Sequence, residues 1–394
     1  MTARYELPAR WIRFDPNAVF RPLVSAHAAL IALKEVPFQR SWADELQKIQ
    51  LKREVAGTSR IEGAEFTERE LEAAIQPTPG DLETRSQRQA AAAAATYRWI
   101  ARLPNDRPVD AALIAEAHRR LVTGCDDDHC PPGQLRGPDQ NVTFGTPPHR
   151  GVEGGEPCRR AYEALVTALR ADFREHDPLI QALSLHYHFA AMHPFLDGNG
   201  RTARALEALM LQRLGLRSEL FIAMSNFYYE QKPAYLQALS DTRAAGQDLT
   251  PFLVFALRGV EVQCRRLLAE VRGHLKKALF RNRMHELFGR LRSPRRRVMS
   301  ERQINLLNLF LESESLSPAD LQQRTASFYK VRNHHKALVR DLVYLLDLGA
   351  IDIDSADRTR LHIDLDWPTR ITETEFFAWA NSRPKGKKLT FLAS

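Results

Sequence analysis

The chain has 394 residues, a formal net charge of +8 at pH 7 and four cysteines. So few cysteines argue against a disulfide framework. No apolar run approaches the roughly 20 residues of a membrane-spanning helix, and the first residues, MTARYELPARWIRFD, lack the apolar core of a signal peptide. These features exclude a helical membrane protein and a disulfide-rich secreted domain. They predict a cytoplasmic protein of two or three domains.

Residues 1–104 are predicted to form an N-terminal helical region. Prolines, which end or kink helices, divide it at Pro37, Pro77, Pro79 and Pro104. The segment TSRIEG, residues 58–63, lies in this region. On a helix, Thr58 and Glu62 are one turn apart and therefore share a face. Alone, this spacing is too common to indicate a function.

Residues 125–130, CDDDHC, combine two cysteines, three aspartates and a histidine. The cysteine spacing is compatible with zinc, but no second pair of ligands follows nearby. We therefore predict a polar loop here and not a metal centre.

A short β run follows at Val142, Thr143 and Phe144. Gly145 and two nearby prolines bound it, which is typical of an edge hairpin.

Residues 177–192 predict an amphipathic helix, because apolar residues recur along one face and Pro194 follows soon after its end. His186 and His188 resemble a metal-binding pair, but residues two apart on a helix point away from each other. We interpret His186 as a histidine of the packing face.

The segment HPFLDGNGRTAR, residues 193–204, gathers groups that suit a bound polyphosphate. Gly198 and Gly200 permit a tight turn whose N–H groups converge on phosphate oxygens. The apolar run that follows predicts a helix, so the turn lies at a helix N-terminus, where the helix dipole favours anions.

Charged side chains in the same segment add complementary chemistry. Asp197 offers the hard oxygen ligand that Mg²⁺ accepts beside a polyphosphate. Arg201 and Arg204 project from the first turn of the helix, and Arg204 is suited to clamp a terminal phosphate. His193 is the group in the segment that can deprotonate a hydroxyl near neutral pH.

Residues 193–204 match the pattern H-x-F-x-[DE]-G-N-G-R-x-x-R at every fixed position, and the segment resembles the active-site motif of the Fic family. The resemblance covers roughly residues 5–260 and places a catalytic core at residues 105–260. It implies an all-α bundle with a β-hairpin flap. It also implies an enzyme that uses ATP as substrate and Mg²⁺ as cofactor to transfer AMP to a hydroxyl of a target protein.

The same resemblance implies a role for each residue of the motif. His193 is the general base, and Asp197 is the metal ligand. The phosphates of ATP are assigned to the remaining positions: Gly198, Asn199, Gly200 and Arg201 at the α- and β-phosphates, and Arg204 at the γ-phosphate.

Two flanking regions complete the ATP site that the resemblance implies. The flap, Val142, Thr143, Phe144 and Gly145, covers the nucleotide and aligns the target segment by strand addition. Tyr235 lies in the region whose tyrosines flank the adenine. The usual adjacent pair of tyrosines is missing there, and Tyr228 and Tyr229 precede it, so both positions are candidates for the adenine contact.

Residues 58–63 fit [ST]-x-x-x-E-[GN], the inhibitory-helix motif of Fic proteins, on a helix at about residues 55–65. The resemblance gives inhibitory roles to Thr58, Glu62 and Gly63. In the resembling proteins the glutamate pairs with the second motif arginine, here Arg204, and keeps the γ-phosphate from its productive position. An arginine–carboxylate fork is strong and geometrically specific, so Glu62 also forms part of the ATP site.

A strongly basic stretch follows the catalytic core. Residues 258–300 hold thirteen Lys/Arg and three Asp/Glu. Residues 261–297 are predicted to form a basic amphipathic helix that ends in a linker, SPRRR, at residues 293–297. Such an excess of positive charge is suited to binding an anionic partner.

Residues 298–370 are predicted to form a winged helix-turn-helix, and residues 371–394 a C-terminal helix and tail. The expected order is helices at 302–312, from 318 and at 327–348, then strands at 351–354 and 361–365. If the module binds DNA, the contacting side chains are Tyr329, Lys330, Arg332, Asn333, His334, His335 and Lys336, with Arg358 and Arg360 on the wing. Five aspartates at residues 351–366 repel phosphate. A module for protein interaction or dimerisation is therefore an equal alternative.

The sequence thus predicts an adenylyltransferase that modifies Ser, Thr or Tyr hydroxyls, with the protein itself among its targets, and that Glu62 restrains by pairing with Arg204. Two other enzyme activities are alternatives: removal of AMP, with Glu62 positioning water, and transfer of another phosphate-containing group. A nucleotide-sensing DNA-binding regulator is the alternative from another class. A homodimer is compatible with the sequence, and no membrane partner is expected.

Overall fold

The computed structural model describes residues 4–37, 39–145, 147–214, 221–291, 294–313, 315–329, 333–355 and 357–382. Helices dominate these residues and the strands are few and short, so the predicted mainly α fold class is confirmed. None of the described helices is both long and apolar enough to cross a membrane. The chain divides into two compact units, Met1–Val271 and Arg272–Ser394.

The helices that begin in the first unit are α1 Pro16–Glu35, α2 Arg40–Ile61, α3 Glu68–Ala74, α4 Arg85–Ile100, α5 Ala111–Val122, α6 Glu156–Ala168, α7 Pro178–Met192, α8 Asn199–Gln212, α9 Met224–Glu230, α10 Lys232–Ala244 and α11 Thr250–Gly289. A 3₁₀ turn, Asp172–Glu175, precedes α7. Two short strands, β1 Thr143–Phe144 and β2 His149–Arg150, lie between α5 and α6.

Helices α7 and α8 pack against each other in the core of this unit. The Asp177 side chain caps α7 by accepting a hydrogen bond from the Leu179 N–H, and Pro178 occupies the first turn, where a missing N–H costs little. Twelve of the fifteen residues of α7 are buried. The helix is therefore enclosed on every side, whereas the sequence predicted one apolar face. It ends at His193, and α8 begins six residues later at Asn199.

Helix α2 brings residues 58–62 to the start of α8. It packs on α4 and α9, and a Cβ added at Gly57 would lie 2.4 Å from the Ser225 carbonyl carbon. Only glycine allows so close an approach of two backbones. Glu62 forms the C-cap of α2, and Gly63 turns the chain with a φ of 89°.

The predicted hairpin is present but short. Strands β1 and β2 are antiparallel, with Thr143 opposite Arg150 and Phe144 opposite His149. Val142, which the sequence included in the run, precedes β1. Gly145 follows β1 with a φ of 80°, which starts the reversal of the chain.

The second unit contains α12 Pro294–Glu312, β3 Ser315–Leu316, α13 Pro318–Thr325, α14 His334–Asp347, β4 Ile351–Ile353, β5 Leu361–Ile363, α15 Trp367–Arg370 and α16 Glu373–Asn381. Its strands form an antiparallel sheet in the order β3-β5-β4. This unit has its own core, which includes Phe288, Phe310, Leu342 and Phe376. The order of helices and strands follows the sequence prediction, with β3 and α15 as unpredicted additions. The winged helix-turn-helix remains a prediction.

Two boundaries of the second unit differ from the prediction. Residues 294–297, predicted as a linker, belong to α12, because proline is well tolerated in the first turn of a helix. The helix predicted at residues 327–348 begins only at His334, where the Asn333 side chain caps it by accepting from the Lys336 N–H.

The proposed DNA-contacting residues are only partly placed as predicted. Tyr329 is 3% exposed and donates a hydrogen bond of 2.9 Å to Asp341, so it belongs to the core and cannot face a groove. Arg360 donates to the side-chain and backbone oxygens of Ser315, which holds it against β3. Lys330 and Arg332 lie outside the described residues.

Candidate active site

His193 has the geometry of a neutral base. It takes a left-handed conformation with a φ of 54°, which is unusual for a residue with a side chain and is typical of functional sites. Nδ1 lies 3.0 Å from the Ala190 carbonyl oxygen. Because that oxygen can only accept, Nδ1 carries the proton and Nε2 keeps its lone pair. Burial lowers the pKa of His193 to about 4, so the ring is neutral at physiological pH.

The flap covers this base. The Phe144 ring stacks on the His193 ring with centroids 3.6 Å apart and planes at 23°. Thr143 is exposed, and Val142 is half-buried. The structure therefore brings the predicted flap and the predicted base together, with Phe144 fixing the orientation of the imidazole.

The turn before α8 is held by its own side chains. Asn199 Oδ1 accepts from the Phe195 N–H and Nδ2 donates to the Phe195 carbonyl, both at 2.9 Å. The Asn199 amide is thus used to shape the turn, while the backbone N–H groups of the first turn of α8 lack partners within the helix. Gly198 adopts a φ of 71°, and a Cβ there would lie 2.8 Å from Val122. The turn thus lies at a helix N-terminus, as the sequence predicted, and the binding of phosphate there stays a prediction.

Glu62 occupies this helix N-terminus. A Cβ added at Gly200 would lie 2.2 Å from Glu62 Oε1, so the missing side chain of Gly200 makes room for the carboxylate. Glu62 is about one-third exposed, at 36%. Loss of hydration in the cleft raises its pKa, but the positive charges of Arg204 and Arg201 outweigh this effect and leave the pKa below its usual value. The carboxylate is therefore ionised at neutral pH.

Arg204 is fixed by two of the three predicted inhibitory residues, Thr58 and Glu62. Its Nη2 donates to Glu62 Oε1 at 2.7 Å, and its Nε donates to Thr58 Oγ1 at 2.9 Å. A further bond of 3.2 Å joins Nη2 to the Thr58 carbonyl oxygen. Burial lowers the pKa of Arg204, but the charge of Glu62 raises the pKa by more than burial lowers it. The guanidinium therefore stays protonated. Held in this way, Arg204 is not free to clamp a phosphate.

Asp197 carries the oxygen atoms that suit a metal ion. Its Oδ1 accepts from the Gly198 N–H at 2.6 Å, and its Oδ2 lies 3.1 Å from His129 Nε2. Asp126, His129 and Asp197 offer ligand atoms within 4.8 Å of one another. Both oxygens of Asp126 are already engaged, by Arg201 and by Arg85 and Gln89. The partly exposed Asp197 carboxylate is the member of this group that fits Mg²⁺, which prefers one or two carboxylates beside phosphate oxygens.

Arg201 is buried and bonded to other protein groups, which the sequence did not predict. Its side chain is 2% exposed, and its Nη1 lies 2.6 Å from Asp126 Oδ2. It also donates to the Leu121 carbonyl oxygen at 3.3 Å. Nη2 lies 3.6 Å from Asp197. Arg201 thus holds two carboxylates near the turn, and a direct contact with phosphate requires it to share these bonds.

The 125–130 loop contributes to the site in a way that the sequence did not reveal. Asp126 anchors Arg201, His129 reaches Asp197, and Arg85 at the start of α4 lies 3.6 Å from Asp197. The Cys130 sulfur accepts a hydrogen bond from the Asp197 N–H at 3.3 Å. In the sequence, one rule bears on the partner of Arg201: a buried arginine requires a carboxylate. The loop offers three consecutive aspartates, and the sequence does not show which of them is the partner.

Two of the three tyrosines considered for adenine, Tyr228 and Tyr235, form a buried network. Tyr235 and Tyr228 stack with ring centroids 4.7 Å apart. The Tyr235 hydroxyl lies 2.8 Å from His186 Nε2, and the Tyr228 hydroxyl donates to Glu207 at 3.0 Å. His186 therefore lies in the packed core, as interpreted from the sequence. Tyr229, in contrast, is 39% exposed.

The sequence of the chain is similar to those of known proteins. Residues 108–211 match the model of the Fic/DOC family. Over 96 residues the chain is 30% identical to the protein adenylyltransferase fic-1 of Caenorhabditis elegans and to that of Caenorhabditis briggsae. Each alignment covers 24% of this chain and 17% of the relative, so it spans less than one-fifth of the relative's length.

Two solved structures show a similar fold. A Fic-1 fragment from C. elegans has a TM-score of 0.54 at 21% identity and covers 65% of this chain and 73% of its own. A Fic family protein from Desulfovibrio desulfuricans G20 has a TM-score of 0.55 at 17% identity and covers 92% of this chain and 98% of its own. At these identities the likeness concerns the fold alone.

Proposed function

Because this chain carries a Fic/DOC family domain at residues 108–211, we propose that it is an adenylyltransferase that transfers AMP from ATP to a Ser, Thr or Tyr hydroxyl of a target protein. The observation that carries the proposal is the position of His193. Its Nε2 has a free lone pair. In the chain, His193 shortly precedes the N-terminus of α8, which has a geometry that suits phosphates.

The chemistry follows from these positions. His193 Nε2 takes the proton of the acceptor hydroxyl, and the hydroxyl oxygen attacks the α-phosphorus of ATP. The bond from the α-phosphorus to the oxygen that bridges it to the β-phosphate breaks, and pyrophosphate leaves. The first-turn N–H groups of α8 hold the phosphates in line for this displacement. The Asp197 carboxylate would hold Mg²⁺, which would supply charge neutralisation on the phosphate oxygens.

We further propose that the described state is autoinhibited. The Glu62 carboxylate lies beside the Gly200 position and pairs with Arg204 at 2.7 Å. An anion of the protein therefore occupies the site that the γ-phosphate needs. Transfer requires Glu62 to withdraw, which frees Arg204 for the nucleotide.

One observation supports a second activity at the same site. The ionised Glu62 carboxylate can accept a proton from a water molecule, and such a water would be suited to release AMP from a modified protein. Removal of AMP is therefore the second candidate function.

The decisive experiment uses ATP labelled either at the α-phosphate or at the γ-phosphate. We expect a label from α-labelled ATP, a mass gain of one AMP on the acceptor and no label from γ-labelled ATP. The His193→Ala variant is the control, and its transfer should fall by ~10²–10⁴-fold with ATP binding retained. Label from γ-labelled ATP would instead indicate transfer of another phosphate-containing group. Loss of AMP from a pre-labelled protein would indicate the reverse activity.

The second unit is proposed to be a winged helix-turn-helix module with a DNA or protein partner. Support comes from the order of its elements and from the polar start of α14, where His335 and Lys336 stand beside the Asn333 cap. A cytoplasmic location and a homodimer remain proposals of the same kind.

A further inference from the structure

An open cavity of about 710 Å³ lies in the first unit, far from the candidate active site. Pro178 at the start of α7 and Arg213 at the end of α8 line it, whereas His193 and Asn199 mark the opposite ends of these helices. Helix α8 has 14 residues, so at 1.5 Å per residue roughly 20 Å separates the cavity from the turn before α8. We call it the distal cavity.

Positive charge dominates the lining of the distal cavity. The cationic residues are Lys34, Arg107, Arg170, Arg174 and Arg213. Among the described lining residues, Asp106 is the only carboxylate. Asp110 neutralises Arg107 through hydrogen bonds of 2.9 and 3.3 Å. Arg170 and Arg174 form no salt bridge with any carboxylate of the described residues, so no direct ion pair neutralises them.

Arg213 adds an unsatisfied donor. Its Nε is buried and has no hydrogen-bond partner in the described part of the chain, and Nη2 reaches the Pro104 carbonyl only at 3.4 Å. Burial and then the charge of Arg107 lower the pKa of Arg213. A buried donor without a partner costs free energy, and an anion in the cavity would remove that cost.

Apart from Asn105, Gln181 and His27, the uncharged part of the lining is apolar. The apolar side chains include Leu30, Ile31, Val109, Leu169, Met210 and Leu214. Ile31 is 55% exposed, although it is a large apolar side chain. Among its described lining residues the cavity has one aromatic ring, that of His27, whose Nε2 lies 2.7 Å from Asp177 Oδ2. Its volume lies within the usual range of small-molecule sites, roughly 300–1,000 Å³.

From these features we infer that the distal cavity binds a small amphipathic anion. The phosphate or carboxylate head pairs with Arg170, Arg174 and Arg213, and an aliphatic body lies against Ile31 and Met210. This site does not depend on the proposed transferase activity.

The test is isothermal titration calorimetry of the full chain with octyl phosphate, octanoate and inorganic phosphate. We expect one molecule of an octyl ligand to bind per chain, and inorganic phosphate to bind more weakly because it buries no aliphatic surface.

The Arg170→Gln, Arg174→Gln double variant should weaken octyl-ligand binding about ten- to a hundredfold, since each residue contributes charge-assisted hydrogen bonds. Both side chains are exposed, so the variant should fold. Arg160→Gln on α6, also exposed, is the matched control and should bind as the wild type does.

The two octyl ligands identify the head group: tighter octyl phosphate binding indicates a phosphate, and tighter octanoate binding a carboxylate. Unchanged affinity in the double variant, or no saturable heat with either octyl ligand, would overturn the inference. Equal affinity for inorganic phosphate would reject the amphipathic class. Competitive displacement by ATP would show that the cavity is not a separate site. Each of these readouts is independent of AMP transfer.

Discussion

The Asp126 carboxylate and the Arg201 guanidinium form a salt bridge of 2.6 Å in which both side chains are almost fully removed from solvent, at 0% and 2% exposure. They are 75 residues apart in the chain. The pair ties the loop at residues 125–130 to the first turn of α8, whose N–H groups are proposed to bind phosphate.

Replacing Asp126 with asparagine should therefore destabilise the protein. The change leaves the Arg201 charge buried without its partner, and such a loss costs about 3 kcal/mol or more. Urea denaturation followed by circular dichroism measures it. Asp128→Asn is the control, because that side chain is 84% exposed and should change stability little. Equal midpoints for both variants would show that the buried pair is not a structural support of the turn.

Replacing Glu62 with glycine should raise AMP transfer, including transfer onto the protein itself. The change frees Arg204 and empties the space beside Gly200, and a charge-assisted pair of this type corresponds to roughly a ten- to hundredfold effect. Initial rates with α-labelled ATP give the comparison. The gain should disappear in the Glu62→Gly, His193→Ala double variant, and Glu65→Gly, a nearby exposed change, should behave as wild type. Equal or weaker labelling of Glu62→Gly would reject the inhibitory assignment of Glu62.

The rate of transfer should stay nearly constant from pH 8 down to about pH 5. Burial lowers the pKa of His193 to about 4, so the base remains neutral over this range, whereas an ordinary histidine would become protonated near pH 6.5. Initial rates of the Glu62→Gly variant at saturating ATP provide the profile. A fall in rate centred near pH 6.5 would contradict this assignment.

Glu54 should make the protein less stable as the pH rises. Its carboxyl is buried against Ser225, and burial raises its pKa to about 7, whereas the unfolded value is roughly 4.3. The folded state thus retains a proton that the unfolded state loses, and the free energy of unfolding falls between about pH 4.3 and 7. Glu54→Gln should therefore be more stable relative to wild type at pH 8 than at pH 5 in urea denaturation. Glu65→Gln should show no such difference. Parallel pH dependence of Glu54→Gln and wild type would refute the role of Glu54.

If the second unit binds DNA, the full-length protein should bind a duplex with an affinity that falls steeply with salt. Removing one side chain that pairs with a phosphate should reduce the slope of log K against log salt by about 0.9. Fluorescence anisotropy of wild type and of the Lys336→Ala, Arg358→Ala double variant measures this slope. Arg160→Ala in the first unit is the control. No anisotropy change at low salt would favour a protein partner.

The motif at residues 193–204 was predictable because its chemistry is local. A turn with two glycines, followed by an apolar run, specifies a helix N-terminus whatever surrounds it. The pairing of Glu62 with Arg204 came from resemblance alone, since 142 residues separate them in the chain and no local rule joins them.

Other features of the site could not be predicted because they depend on which elements pack together. Nothing local distinguishes Asp126 from Asp127 or Asp128, and the choice follows only from the position of Arg201. In the second unit, Tyr329 was predicted to contact DNA if the module binds it, yet its ring completes the core beside Asp341.

The sequence by itself determined the helical composition, the tight turn before α8 and the choice of His193 as the candidate base, because backbone preferences and hydrogen-bonding capacity belong to short segments. Only the tertiary structure decided that Glu62 lies beside Gly200, that Arg201 is buried against Asp126, and that arginines from different elements converge on the distal cavity. These relationships join residues far apart in the chain, and they are set by the burial of apolar surface and the pairing of buried charges.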